Sequence, residues 1–213
     1  EERETVRRPT PVSRGVGRVL CDPDILDAED AVPHALTLIV HDEDASRQSN
    51  PVEAAIGAAI AESSHPDDAV GIVTPHNAQR GLLDTYLNDV ECDTVERYQG
   101  GQRPVILVSA TASDPDFVQI ESEFLLNPNR LNVAMSRMQR GLIVVASEQV
   151  FDVIPPEVEE YERAGLWKGL FDDLDVLDHP PVWEGTLDAL VGDTDLGALD
   201  PPLDTQLEVH TLH

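Results

Sequence analysis

Three arginines stand close together in the segment NPNRLNVAMSRMQRGLIVV, residues 127–145. Arg130, Arg137 and Arg140 fall within eleven residues that contain no acidic side chain. A guanidinium group presents N–H donors in a fixed fork that matches phosphate oxygens. This spacing therefore predicts a site for a phosphate-bearing ligand, either a nucleotide or a nucleic acid. The alternative is a chance cluster of arginines on the surface of a helix.

The rest of the chain is strongly acidic. It carries 41 acidic and 14 basic side chains among 213 residues, a formal net charge of −27. Residues 97–140, by contrast, hold five arginines and four acids. A dense acidic surface stays soluble in molar salt, where the Debye length falls to about 3 Å and self-repulsion is screened. The composition therefore predicts a salt-adapted protein whose one non-acidic segment meets a negative ligand.

A helix predicted over residues 128–138 must position these arginines. Asn127 is a capping residue, and Pro128 suits the first helical turn. Helical spacing puts one set of side chains toward the core and a second set beside it at the domain surface. The core set is Leu131, Met135 and Met138, and the surface set is Arg130, Ala134 and Arg137.

Continuous apolar runs predict four strands, over residues 36–40, 69–75, 104–111 and 141–147. Helices are predicted from Pro51 to Ala61, with Asn50 as cap and Glu53 at the capping-box position, and over 78–88, with Asn77 as cap. Because apolar strands alternate with helices, the pattern predicts an α/β fold, a mainly parallel sheet between two helical layers.

The domain organisation follows from the change of character along the chain. Residues 1–34 are predicted to be an irregular lead-in, and residues 35–155 the α/β domain. Residues 156–213 are predicted to be an acidic extension, helical over 157–178 and otherwise irregular. The chain begins at Glu1 rather than at a methionine, so we expect further protein upstream.

Several kinds of site are not signalled by the sequence. It contains no GxxxxGK[ST] phosphate loop, no magnesium-holding acidic motif at a strand end and no GxSxG nucleophile motif. The histidines lack metal-ligand spacing, and the two cysteines, Cys21 and Cys92, are expected to be reduced thiols. Because the histidines show no metal spacing, no structural metal is expected. With no apolar run of membrane-spanning length and no signal peptide, a cytoplasmic protein is expected.

Three segments in order resemble the second RecA-like domain of superfamily-one helicases. The nearest group is the one containing the nonsense-mediated-decay helicase and the Okazaki-fragment helicase–nuclease. The segment TPHNAQ at 74–79 resembles the family's TPY..Q, and TVERYQG at 94–100 resembles its VDxFQG. The segment NRLNVAMSRMQRG at 129–141 resembles its RRLNVALTRAR.G, and SRQSNPVEA at 46–54 resembles its serine–asparagine–glutamate lead-in.

This resemblance implies a division of roles. In the family, ATP and Mg²⁺ bind between two RecA-like domains, and the first domain supplies most of the contacts to the metal and the phosphates. The second supplies an arginine finger, which Arg137 matches. Gln99, Gly100, Gln102, Arg130 and Arg140 would contact the nucleotide, although the family usually has glutamate where Gln102 stands. Single-stranded DNA or RNA would meet Thr74, Asn77 and Thr94.

The leading hypothesis is therefore the C-terminal motor domain of an ATP-dependent helicase, inactive without the first domain. A non-catalytic module for binding nucleic acid or protein, derived from such a domain, is the alternative. An unrelated α/β enzyme that uses the arginine cluster for an anionic substrate is a third reading, with no nucleophile or base to support it.

Overall fold

A computed structural model of the chain describes residues 35–63, 70–87, 90–95, 97–98, 102–122, 127–153 and 181–212. The strands of these residues are β1 (Ala35–His41), β2 (Val70–Thr74), β3 (Glu91–Thr94), β4 (Arg103–Ser109), β5 (Met138–Ser147), β6 (Trp183–Thr186) and β7 (Gln206–Leu212). The helices are α1 (Pro51–Ser63), α2 (Asn77–Tyr86), α3 (Pro115–Ile120), α4 (Pro128–Met135), α5 (Glu148–Asp152) and α6 (Leu187–Val191).

All seven strands form one sheet in the order β3-β2-β4-β5-β1-β7-β6. The first five strands of this order pair in parallel, and β7 pairs antiparallel with both β1 and β6. The predicted α/β fold with a mainly parallel sheet is therefore confirmed. Each predicted strand is present, whereas β3 was not predicted because its sequence, ECDT, carries two acids in four residues.

Helices cover both faces of the sheet, as alternate strand residues show. Leu38, Ile106 and Val144 face a core that includes residues of α3, α4 and α5. The neighbouring residues Ile39, Leu107 and Val145 face the opposite core, which includes residues of α1, α2 and α6. Burial on both faces is why these strands read as unbroken apolar runs.

Residues 181–212 contribute two strands and a helix to this domain, where the sequence analysis predicted no strand. Strand β7 lies between β1 and β6, and its Leu207 and Val209 are 1% exposed. Helix α6 packs against α1 through the same core. The helix predicted over 157–178 lies outside the described residues.

Three local predictions were wrong. Helix α4 ends at Met135 rather than at 138, because Met138 already pairs with Arg103 as the start of β5. Met135 is 41% exposed, and Ala134 is buried in its place. Asn77 does not cap α2: it is the first helical residue, and the cap position belongs to His76, which makes no side-chain cap bond.

The capping predictions for Asn50 and Asn127 are confirmed, and the capping-box prediction for Glu53 is right for one of its two hydrogen bonds. The side chains of Asn50 and Asn127 accept hydrogen bonds from backbone N–H groups of α1 and α4. Glu53 does not return a bond to the N–H of Asn50, which donates instead to Gln79 Oε1 over 2.7 Å. Of the helices described, none is long and apolar enough to cross a membrane.

Candidate functional site

Arg137 lies in the turn between α4 and β5, with its backbone held on both sides. Its N–H donates to the carbonyl of Ala134 (3.0 Å), and its carbonyl accepts from the N–H of Arg103 (3.1 Å). The side chain is half-buried, and its Nε atom is buried without a hydrogen-bond partner among the described residues. A buried donor without a partner carries a free-energy cost of about 1–3 kcal/mol, which an acceptor that reaches this atom would remove.

The bond between Arg103 and Arg137 brings Gln102 next to Arg137, although the two residues are far apart in the chain. Gln102 is exposed just before β4. Arg103 also pairs with Glu91 on the edge strand β3 over 2.7 Å. The amino ends of β3, β4 and β5 are thereby tied together around this pair of predicted nucleotide-site residues.

Tyr98 anchors the end of the segment that leads toward Gln99. Its side chain is 2% exposed, and its hydroxyl lies so near β2 that a Cβ added to Gly71 would overlap it. Burial raises the pKa of Tyr98 to about 12, and the nearby charge of Glu91 acts in the same direction. The phenol is therefore a neutral packing group at this edge.

The other predicted nucleotide-site residues are less defined. Arg140 is exposed in β5, where the register with β4 shifts between Arg103 and Val105. Such an irregularity can re-aim a side chain. Arg130 belongs to α4, but its side chain lies outside the described part of the structure. Gln99 and Gly100 lie outside the described residues entirely.

The predicted nucleic-acid residues lie at the opposite edge, where the parallel strands end. Thr74 and Thr94 are register partners at the carboxyl ends of β2 and β3. Both are buried, at 0% and 4% exposure, and the Thr74 hydroxyl is 2.9 Å from that of Thr111. Asn77 is exposed on the first turn of α2. In this structure, then, Asn77 offers its side chain to solvent whereas the two threonines are enclosed.

A buried polar network centred on Glu53 lies beneath this edge. The Glu53 carboxylate is fully buried and accepts from the Ser109 hydroxyl, from the N–H of Thr111 (2.9 Å) and from His41 Nε2 (3.3 Å). Since a buried carboxylate needs several donors to offset its desolvation, these three contacts make Glu53 an anchor for the ends of β1 and β4.

Thr111 is held by this network in an unusual backbone conformation. Its φ is +73°, in the left-handed region that β-branched residues rarely adopt. Such a conformation costs about 1–3 kcal/mol and persists where surrounding contacts fix it. Here the N–H is bound to Glu53, and the carbonyl accepts from Asn50 Nδ2 over 3.2 Å. The strained turn therefore redirects the chain immediately after β4.

Glu43 joins three loops at the same edge. Its carboxylate accepts from the side chains of Ser46, Asn50 and Ser113, and its backbone carbonyl accepts from the Ser147 hydroxyl (2.8 Å). The segments after β1, β4 and β5 are thus fixed to one another. The loop of residues 42–50 lies over this network and exposes Arg47, Gln48 and Ser49.

Arg47 and Asp114 form an ion pair at the surface of this edge. Arg47 Nη2 is 3.2 Å from Asp114 Oδ2, and the two side chains are 63% and 21% exposed. The backbone N–H of Phe117 chiefly lowers the pKa of Asp114, and Arg47 contributes to the same shift. Asp114 therefore stays ionised while its Oδ1 caps α3.

The two sets of predicted residues occupy opposite ends of the sheet. Gln102 and Arg137 precede β4 and β5, whereas Thr74, Asn77 and Thr94 follow β2 or end β2 and β3. Strand β4 has seven residues, so the ends are separated by roughly 20 Å at about 3.3 Å per residue. The domain can therefore present a cationic group at one edge and a polar surface at the other. The described residues contain no cluster of three or more side chains that could hold a metal ion.

Sequence reasoning missed the residues that hold this carboxyl edge. Glu53 occupied a capping-box position, which favoured a local role over a buried one. Gln79 and Asn50 both belong to segments quoted for the family resemblance, and this shared membership was the one signal for their buried contact. Nothing in the sequence signals that Thr111, a β-branched residue, adopts a positive φ.

The comparisons with known proteins agree with this architecture. A family model described as an AAA domain (AAA_12) matches residues 38–149, more than half of the chain. The chain therefore belongs to this family of α/β RecA-like domains.

Its relatives include proteins named as helicases. The chain is 37% identical over 91 residues to DNA polymerase alpha-associated DNA helicase A of Saccharomyces cerevisiae, covering 40% of this chain and 13% of that protein. It is 34% identical over 113 residues to DNA replication ATP-dependent helicase/nuclease JHS1 of Arabidopsis thaliana, covering 50% and 8%. A Regulator of nonsense transcripts 1 homolog of Drosophila melanogaster is 30% identical over 94 residues, covering 39% and 8%. The chain thus corresponds to a small part of each relative.

Proposed function

We propose that this chain is the second RecA-like motor domain of an ATP-dependent superfamily-one helicase. In this proposal it contributes an arginine finger and part of a track for single-stranded DNA or RNA. The names of the relatives and the ordered motifs support the class of protein. The small share of each relative that the chain covers agrees with a domain that works beside a first motor domain.

The placement of Arg137 is the observation that carries the proposal. Its backbone is bonded to α4 and to Arg103, and its Nε is buried without a partner among the described residues. An arginine finger needs a fixed backbone and guanidinium donors that are not already bound within its own domain. In the proposed complex Arg137 donates to the γ-phosphate oxygens of ATP, with Gln102 beside it for the sugar and Arg130 and Arg140 on the same segment.

Bound ATP with Mg²⁺ supplies the transferable phosphoryl group, and the first domain holds the metal. The contribution of Arg137 is to stabilise charge that develops during transfer. An arginine finger is worth about 10³–10⁵ in rate, which is about 4–7 kcal/mol of activation free energy. The chain alone is therefore expected to turn over no ATP.

The decisive measurement is ATP turnover in a protein that joins this chain to its first motor domain. Arg137→Ala is expected to reduce nucleic-acid-stimulated turnover by about a thousandfold or more, while nucleic-acid affinity changes little. Arg137→Lys should recover only part of the loss, because lysine keeps the charge but not the fork.

The matched control is Arg80→Ala, which removes an arginine that is paired with Asp84 and Asp93. Turnover in this control should stay near that of the unaltered protein. Near-normal turnover in Arg137→Ala would reject the assigned role. A gene that encodes no GxxxxGK[ST] segment upstream would instead favour a non-catalytic module.

A further inference from the structure

Arg47 is a basic side chain at the carboxyl edge of the sheet that the proposed function leaves unexplained. It is the one arginine or lysine in the sequence between residues 35 and 63, and its side chain is 63% exposed. Its guanidinium reaches Asp114 Oδ2 through both Nε (3.3 Å) and Nη2 (3.2 Å). Two nitrogens directed at one oxygen leave three of the five guanidinium N–H groups without a contact to Asp114.

The loop that carries Arg47 is fixed by buried contacts. The Ser46 N–H donates to Ser113 Oγ (2.8 Å), and the Ser46 carbonyl accepts from the N–H groups of Ser113 and Asp114. At its other end Asn50 is bonded to Gln79 in the first turns of α2. The exposed residues 47–49 therefore stand in a fixed position close to the beginning of α2, where Asn77 is exposed.

This inference rests on the proposed function. We propose that Arg47 binds a backbone phosphate of single-stranded nucleic acid, and that Asp114 holds the Arg47 side chain in position when no strand is bound. Gln48, Ser49 and Asn77 would extend the same polar surface. A phosphate can accept a bidentate pair of N–H groups from Arg47, a stronger geometry than the single Asp114 oxygen provides. The strand would thus displace Asp114 as the partner of Arg47.

The acidic neighbours of Arg47 are compatible with this role. Asp42 Oδ1 accepts from the N–H of Gln206, and Glu43 is directed into the loop contacts described above. Asp42 and Asp44 are both exposed, and their charges oppose an approaching phosphate. In strong salt this repulsion is screened beyond a few ångströms, whereas a contact ion pair is screened less.

The test measures binding of a fluorescein-labelled oligo-dT strand, and of oligo-U in parallel, by fluorescence anisotropy. It uses the 213-residue chain at salt concentrations where circular dichroism shows it folded. Arg47→Gln is expected to weaken binding by about twofold to fivefold. It should also lower the slope of log affinity against log salt by about 0.7, the value for one phosphate contact on a single strand.

Asp114→Asn is expected to act in the opposite direction and tighten binding by about twofold to fivefold. Asparagine can still cap α3, so the fold should be kept. If Asp114 acts through Arg47, most of this gain should disappear in the double variant with Arg47→Gln. The control is Arg103→Gln, which removes the same charge from an ion pair at the amino edge and should leave the salt slope unchanged.

The outcomes separate the two proposals. An unaltered chain that binds neither strand would reject the nucleic-acid part of the proposed function. An unaltered chain that binds, with Arg47→Gln equal to Arg103→Gln in affinity and salt slope, would overturn the role of Arg47 alone. A loss in Arg47→Gln with no change of slope would make the effect structural and would also overturn it.

Discussion

At the scale of single residues, the carboxyl edge depends on buried polar side chains that satisfy one another. Glu53 shows how partners that are distant in the sequence can override a local capping pattern. A capping box would give its carboxylate one backbone N–H, but Gln79 satisfies that group and leaves Glu53 for three donors. Because the competing partners come from α2 and from the ends of β1 and β4, a local pattern could not reveal the outcome.

The hydroxyl pair of Thr74 and Thr111 gives a direct stability test. Thr74→Val keeps the shape but removes a buried hydroxyl bond of 2.9 Å. The free energy of unfolding should fall by about 1 kcal/mol, measured by urea denaturation. Thr85→Val is the control, since its hydroxyl bonds to Gly81 O at an exposed site. Equal losses in both variants would contradict the importance of the buried pair.

Cys92 should be unreactive in the folded protein. Burial, followed by repulsion from Asp84, raises the pKa of its thiol from 9.0 to about 12. Because the folded pKa is the higher one, the stabilising contribution is full below pH 9 and is lost as pH rises toward 12. At pH 8 we expect slow alkylation by iodoacetamide without urea and rapid alkylation with it, with peptide mass spectrometry separating Cys92 from Cys21. Equally rapid modification in both conditions would show that the thiol is not enclosed.

At the scale of elements, α2 contains a glycine with open space where a side chain would stand. A Cβ added to Gly81 meets no atom within 4 Å. Gly81→Ala should therefore raise the free energy of unfolding by about 0.5–1 kcal/mol, because alanine loses less backbone entropy in a helix. Urea denaturation measures the gain.

In the same measurement, Gly71→Ala should lower the free energy of unfolding by about 1–3 kcal/mol, since overpacking strains a core. In β2 the added Cβ would overlap the Tyr98 hydroxyl. The opposite signs of the two alanine variants are the prediction. A gain at both positions would mean that Tyr98 moves away without cost.

The elements show where sequence patterns were sufficient. Long apolar runs predicted β1, β2, β4 and β5, and asparagine caps predicted the starts of α1 and α4. The end of α4 was not predictable from helical spacing, because pairing of Met138 with Arg103 decides it. Strand β7 does alternate polar and apolar residues from Gln206 to His210, but it stands in an acidic, proline-rich context that favoured an irregular segment.

At the scale of the whole molecule, the net charge of −27 dominates. Mutual repulsion of so many carboxylates destabilises the compact state at low ionic strength. The melting temperature should therefore rise between about 0.1 M and 1 M KCl, as the Debye length falls from about 10 Å to about 3 Å. Potassium chloride is preferable to sulfate, which strengthens apolar burial in any protein. A melting temperature that is equal or higher in low salt would reject salt adaptation.

The position of β7 has a consequence for the protein while it is being synthesised. Strand β1 pairs with β7, and the bond between Asp42 and Gln206 closes a separation of 164 residues. At about 5–20 residues per second, a ribosome needs roughly ten to thirty seconds to cover that distance. During this interval one edge of β1 has no strand to receive it, and such an edge can pair with another nascent chain. Slow translation of the segment that carries β7 would therefore favour aggregation on the polysome.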